Sequence, residues 1–479
     1  NLFWKNRNSA SLSESVITAL CANKFFDEPT KRFDPDSHFN GSAFNLGYFG
    51  LGWLMVAYTK WLIETAIEDG IDTLYFLSRD GEVMMEAYNR LSIYYPSAPQ
   101  AKYLYCSRRA ARAAAITSEK DIIDVCNTAF NGGILKDFFF NKFNFNISNI
   151  SYELITSNDF TSTSELITKQ DIAKVIKLAL SMKEDIFHNA KVQRDSYLCY
   201  LTDSGFTGGE NVAVVDIGYA GSMQASLKKL SDKEKLTGYY LLTFFEAKEL
   251  EKYGHTIKGF CGNFIKKEHS WNPICRLGLA FEVIFSSVSG SFIKMGVGDN
   301  GDIYPLLEPT NHETQKKELI ENIRSGLRDF ISELCSIFGD KFVGLDFDNE
   351  SCLSVYVDYL DNPSATDANI MYQINFDDNF SLAGEKYMIP PIIDKVSLVD
   401  LQKRSVWKKG TEVLHRHFAT KIPPHERTFL SQDVTIESKS HLVNERAKIE
   451  NLEIKFHYKL AGSKLFRFAV FMFGGRRKY

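Results

Sequence analysis

The segment that most constrains the fold is Val212–Ser222, Val-Ala-Val-Val-Asp-Ile-Gly-Tyr-Ala-Gly-Ser. A short, unbroken apolar run that is rich in valine suits a strand buried on both faces, as in a parallel sheet. It delivers one carboxylate, Asp216, into a turn with two glycines, and a helix from Met223 to Leu230 follows. The same grammar occurs twice upstream. Ile71–Leu77 is a run bounded by Gly70 that ends in Ser78-Arg79-Asp80-Gly81 and passes into helical spacing at Val83, Met84, Ala87, Tyr88 and Leu91. Ala101–Cys106 ends in Ser107-Arg108-Arg109 and runs into Ala110-Ala111-Arg112-Ala113. A fourth strand is expected over Leu236–Phe245, ending near Glu246. Strands alternating with helices predict an α/β fold with an open, mainly parallel sheet and helices on both faces. Ligands of such sheets bind at the carboxyl ends of the strands, where all three polar loops fall.

The rest of the 479-residue chain divides around this core. Length alone allows about three domains, or one large domain with insertions. Residues 1–40 read as an N-terminal arm, and 41–300 as the α/β domain onto which it packs. The stretch 118–205 is too long for a plain crossover. It shows helical spacing at Ile172, Val175, Ile176, Ala179 and Leu180, so a helical insertion capping the site is expected. Gly47, Gly50 and Gly52 open an apolar helix that ends at Asp69-Gly70; they imply close packing or a backbone approaching a ligand. Residues 297–309 form a Gly/Asp/Pro-rich break. An amphipathic helix covers 313–338, with Leu319, Ile320, Ile323, Leu327, Phe330, Ile331 and Leu334 on one face. Residues 301–479 are expected to be mostly helical and to end in the basic-aromatic tail Lys464–Tyr479.

Composition removes several classes of function. With 44% hydrophobic and 24% charged residues the chain is neither disordered nor a disulfide scaffold. A net charge of -4 argues against nucleic acid as a partner. No two of the eight cysteines form a CxxC pair, which suits a reducing, cytoplasmic compartment. No apolar run is long enough to span a membrane. The tail reads either as a membrane-surface anchor or as a last helix packed on the core. Asp346-Phe347-Asp348 is a lone DxD in an acidic stretch, better read as a loop than as a metal site.

The loops carry the chemistry. In Asp216–Ser222 the glycines let backbone N–H groups face an anion, the helix N-terminus adds positive potential, and Ser222 adds a hydroxyl. Asp216 suits sugar hydroxyls or a metal ion. The loop therefore reads as a cradle for a phosphorylated sugar, or else as an ordinary strand-to-helix turn. Arg79 is suited to clamping a diphosphate, and Asp80 to holding a metal ion or hydroxyl. Arg108 and Arg109 concentrate positive charge at the second strand end.

The phrases LGYFGLG, YFLSRDG, SRRA and VDIGYAGSMQ, in this order, resemble the glycan phosphoribosyltransferase modules of bacterial polysaccharide biosynthesis, which are class I phosphoribosyltransferase-like. The likeness covers about Leu46–Gly296. One departure is that the acidic loop has Asp216 followed by Ile217, where nucleotide-salvage enzymes carry two adjacent acidic residues. The resemblance implies transfer of ribofuranose 5-phosphate from phosphoribosyl diphosphate (PRPP) to an O-antigen or capsule glycan, inverting to a β-ribofuranoside. It further implies a Mg²⁺ requirement with Asp216 as a ligand, and a lipid-linked acceptor at the inner membrane. A phosphatase of the haloacid dehalogenase type, often fused, and other glycosyltransferase modules are the implied partners. Carried over, Ser78, Arg79, Asp80 and Gly81 form the pyrophosphate loop, with Arg108 and Arg109 as further diphosphate ligands. Asp216, Gly218, Tyr219, Ala220, Gly221 and Ser222 form the ribose-phosphate loop. Asp80 and Glu282 are the candidates for taking the acceptor proton, Glu282 reading equally as a buried structural residue. The alternatives are a dehalogenase-type hydrolase module, which lacks its nucleophile motif here, a sugar-nucleotide-dependent glycosyltransferase, and a non-catalytic glycan-binding module.

Overall fold

The computed structural model describes residues 12–26, 30, 32, 34–130, 132–266, 278–285, 287, 289–309, 314–376, 386–393 and 396–421. The tail Lys464–Tyr479 lies outside the described residues. The described residues group into one compact unit. Its elements begin with α1 (Leu12–Phe26), α2 (Gly52–Glu68), β1 (Thr73–Leu77), α3 (Gly81–Leu91), β2 (Gln100–Leu104) and α4 (Arg108–Ala114). The insertion then contributes α5 (Leu135–Phe143) and α6 (Lys183–Asp203), among shorter pieces. The core resumes with β3 (Val212–Asp216), α7 (Ser222–Ser231), β4 (Leu236–Tyr240) and β5 (His255–Gly259). After it come α8 (Gly278–Phe285), β6 (Phe292–Val297), β7 (Ile303–Leu307), α9 (Thr314–Phe338) and α10 (Asn349–Asp361).

The sheet is five-stranded and wholly parallel, in the order β2-β1-β3-β4-β5. Alternate residues of each strand enter different cores, as the pleat requires. Leu74, Phe76, Ala213 and Val215 join one apolar cluster with residues of α2, α3 and α9. Tyr75, Leu77, Val212 and Val214 join a second with α4, α6 and α7. Helices therefore cover both faces, which explains the unbroken apolar strands. The insertion carries its own core, including Phe138, Phe139 and Phe143 of α5 and Ile186 and Ala190 of α6.

Two elements differ from expectation. β5 reads in sequence as mixed text, because Thr256 is exposed and Lys258 and Gly259 are only partly covered at the sheet's edge. The break at 297–309 holds the turn and the second strand of an antiparallel hairpin; Ile303–Leu307 pairs with Phe292–Val297. The early glycines serve packing. A Cβ on Gly47 would run into the carbonyl of Ile323 in α9, and one on Gly52 would lie 2.5 Å from Phe330 Cγ. Asp348 of the DxD caps α10, accepting from Ser351 N at 2.9 Å. Among the described residues no helix is long and apolar enough to cross a membrane.

The arm is locked to the C-terminal region through Asp367, which is fully buried. Its carboxylate accepts from the backbone N–H of Phe39 at 3.2 Å and of Gly41 at 3.1 Å, and from the backbone of His38 and the hydroxyl of Ser37. His38 Nε2 meets Asp358 Oδ2 at 3.0 Å.

Candidate functional site

β1 and β3 are neighbours in the sheet, yet their chains leave it in opposite directions. β1 continues into α3 on one face and β3 into α7 on the other, because α3 belongs to the first apolar cluster and Leu227 and Leu230 of α7 to the second. The strand order reverses between them, which makes this the crevice where open α/β sheets bind ligands. The Ser78–Gly81 and Ile217–Ser222 loops form its two lips.

Asp216 ends a strand buried along its whole length and is itself 5% exposed. It follows Val212 and Val214 in the pleat and so points to the face covered by α4. Burial pushes its pKa well above the usual carboxylate range, and the charges of Asp80 and Glu282 push it further. The backbone N–H of Ile217 and the Arg108 guanidinium pull it down in part. Asp80, at the start of α3, is also raised by burial, with Arg79, Arg108 and Arg324 opposing. Tyr219 is raised by burial and then by Glu282, Asp80 and Asp216. The charges of Asp80 and Glu282 are both felt at Asp216, and the exposed Arg108 acts on both Asp80 and Asp216.

The turn itself is tightly braced. Gly218 has φ 149°, and a Cβ there would meet the carbonyl of Leu242, so glycine is required. Gly221 precedes α7 at φ 67° and offers no side-chain cap. Phe244 N donates to Tyr219 O at 2.9 Å, and the Phe244 and Tyr219 rings stack at 4.8 Å. The Tyr219 hydroxyl donates to Gly278 O at 2.8 Å, tying the turn to the start of α8, the helix that carries Glu282. Ala220 and Ser222 are exposed at the mouth.

Two residues of the expected donor site are engaged elsewhere. Ser78 Oγ donates to Cys106 O at 2.9 Å and accepts from Cys106 N at 3.0 Å, so it joins the ends of β1 and β2. Arg109 is buried, pairs with Glu308 at 2.7 Å and lies 4.5 Å over the Phe140 ring. Successive helical residues point about 100° apart, so Arg108 is exposed while Arg109 faces the insertion.

Lys142, which carries no motif in the sequence, is a buried cation of the insertion. It is 2% exposed, and its Nζ donates to Ala129 O at 2.8 Å and to the Thr128 hydroxyl. Burial lowers its pKa to about 7, Arg112 and Arg108 lowering it and Cys126 opposing. Arg112 is lowered by burial and by Arg108 to about 10.

Among the described residues no three His, Cys, Asp or Glu side chains converge as a ready metal cage. Magnesium is usually held by one or two carboxylates together with substrate phosphates, and the Asp80–Asp216 pair fits that mode.

No known family's sequence profile matches the chain, and no curated protein matches it in sequence.

Proposed function

We propose that the chain transfers ribofuranose 5-phosphate from PRPP to a hydroxyl of a bacterial surface glycan, releasing pyrophosphate and inverting C1. The observation that carries this reading is a pair of carboxylates, Asp80 at the start of α3 and Asp216 at the end of β3, on two glycine-containing loops at the reversal of strand order. The opening N–H groups of α7 and the Ser222 hydroxyl suit the 5-phosphate. Asp216 suits the ribose hydroxyls, whose hydrogen bonds favour its ionised form. Arg79 and Arg108 suit the diphosphate.

In the reaction the bond from C1 to the pyrophosphate oxygen breaks as the acceptor oxygen bonds to C1 from the opposite face. Positive charge grows on the ribose ring, beside the carboxylates, and negative charge on the leaving pyrophosphate, beside the arginines. Bound Mg²⁺ would neutralise part of the pyrophosphate charge. The acceptor proton passes to a carboxylate, for which Glu282 and Asp80 are the candidates.

The acceptor would be lipid-linked and met at the cytoplasmic face of the inner membrane. A dehalogenase-type phosphatase would then remove the phosphate. The test is incubation of the protein with PRPP, Mg²⁺ and lipid-linked glycan from a ribose-containing polysaccharide producer. Mass spectrometry is expected to show the glycan gaining one ribose phosphate. An unchanged glycan with PRPP, but addition of a hexose from a nucleotide sugar, would refute the proposal.

A further inference from the structure

His38 is 8% exposed and stands between two carboxylates. Its Nε2 lies 3.0 Å from Asp358 Oδ2 of α10. Its Nδ1 lies 3.5 Å from Asp367 Oδ2, on the short helix Ala365–Ala368. A neutral imidazole carries one N–H, so in either tautomer one ring nitrogen turns a lone pair toward a carboxylate. Only the imidazolium donates on both sides. Both carboxylates are held in place by other donors. Asn362 Nδ2 donates to Asp358 Oδ1 at 2.7 Å. Asp367 Oδ1 accepts from the Ser37 hydroxyl and from the N–H groups of Phe39 and Gly41, and Oδ2 accepts from His38 N. The segment that carries the ring is wrapped around Asp367. Asn40 and Gly41 take φ of 52° and 67°, which turns neighbouring N–H groups onto one carboxylate. Phe39 is fully buried and meets the Tyr359 ring of α10 at 5.1 Å. On its other side, a Cβ on Gly50 would lie 3.0 Å from Phe39 Cζ. Residues 37–41 therefore clasp the helical turns ahead of α2 to α10.

We propose that His38 is a proton-operated latch on this clasp: as imidazolium it bridges Asp358 and Asp367 and holds residues 37–41 on α10, and loss of its proton as pH rises loosens them. Burial opposes the charge on His38, but the hydrogen bonds and charges of Asp367 and Asp358 outweigh it, so its pKa lies above the usual histidine value. In the opened segment the same side chain titrates near about 6.5. The stabilisation is therefore complete below that pH and is lost as pH rises through the folded value. The groups that face the ring are Asp358 and Tyr359 of α10 and Asp367 of the short helix. Asp34, on the arm itself, accepts from the Thr366 hydroxyl at 2.7 Å. Burial holds the Tyr359 phenol well above its ordinary range. Burial raises Asp367, but its hydrogen bonds bring it below the ordinary carboxylate value, so it changes charge only in acid. The latch leaves the covering of Phe39 and Tyr359 dependent on pH, whatever ligand the crevice takes.

The test is amide hydrogen exchange of the full chain from about pH 6 to about pH 9, corrected for the intrinsic rate and read at Phe39 and Gly41. An NMR titration of the His38 ring accompanies it. The opening constant of these amides is expected to rise by up to about tenfold per pH unit above about 6.5, and to level off beyond the folded pKa. His38→Gln keeps a donor but cannot take up a proton, and is expected to open more readily at the acid end and to show no rise. Asp358→Asn, at a partly exposed position, is expected to move the rise to lower pH. It guards against a His38 variant that fails to fold. A His38 ring that titrates at or below about 6.5 would overturn the latch. An equal rise in folded His38→Gln, or an unshifted one in Asp358→Asn, would overturn it as well.

Discussion

Replacing Asp216 by Asn is expected to move stability and donor affinity in opposite directions. The carboxylate is 5% exposed, and burial, Asp80 and Glu282 together raise its pKa well above the ordinary value against Ile217 N–H and Arg108. An unfolded Asp titrates near about 4. Because the folded pKa is the higher one, Asp216 contributes most to stability below that value. The contribution falls as pH rises from there to the folded pKa, and stays low beyond it. Asn keeps the size and polarity without the charge, so at neutral pH the variant is expected to be more stable. The scale is about 1–3 kcal/mol, that of a poorly compensated buried polar group. Each ribose hydroxyl bonded to the carboxylate is worth about 1.5–3 kcal/mol, so PRPP affinity is expected to fall roughly 10- to 150-fold. Denaturant unfolding at pH 4, 6 and 8, with PRPP calorimetry on the same samples, reads both effects. An Asn variant that is less stable at neutral pH, or that keeps the wild-type pH slope, refutes the burial argument. Wild-type PRPP affinity refutes the placement of the ribose.

Further predictions come from the surrounding structure. Asp367→Ala strands several backbone N–H groups of the arm and is expected to cost on the order of 3–5 kcal/mol in denaturant unfolding. Burial raises the Asp367 pKa, but the hydrogen bonds from His38, Ser37 and Gly41 outweigh it and the net shift is downward. Its stabilisation is therefore present above about pH 4 and lost as pH falls through the lowered folded value; acid unfolding monitored by circular dichroism should show this step shrinking in Asp367→Asn. Arg109→Ala leaves Glu308 without its partner and removes the Phe140 contact, so a loss of about 3 kcal/mol is expected with PRPP affinity unchanged; an affinity loss would return Arg109 to the donor site. Gly47→Ala drives a methyl group into the Ile323 carbonyl and is expected to cost on the order of 4 kcal/mol or more of stability, read as a steep fall in melting temperature.

The central strands and their loops were legible because an apolar run, a polar glycine turn and helical spacing succeed one another three times over. That grammar is local, and it located Asp80 and Asp216 before any tertiary information. The edge strand β5 escaped because its partly solvated position permits Thr256 and Lys258, which dilute the apolar signal. That Arg108 is exposed while Arg109 is buried on Glu308 depends on which way α4 rotates against α5, a packing fact absent from local text. Likewise the Ser78 hydroxyl is drawn to the backbone of Cys106, a residue of a different strand end. Lys142 carried no motif, only a place in a phenylalanine-rich helix, and its burial depends on how the insertion packs. Glu282 was visible as a carboxylate in an apolar segment, and its nearness to Asp216 comes from Tyr219 anchoring the start of α8.

The central claim is that the crevice between β1 and β3 holds PRPP. The most direct test is a calorimetric titration with PRPP and Mg²⁺ beside a panel of nucleotide sugars. The account predicts saturable binding of PRPP that requires Asp216, with the nucleotide sugars silent. Binding of a nucleotide sugar, with PRPP silent, would contradict it.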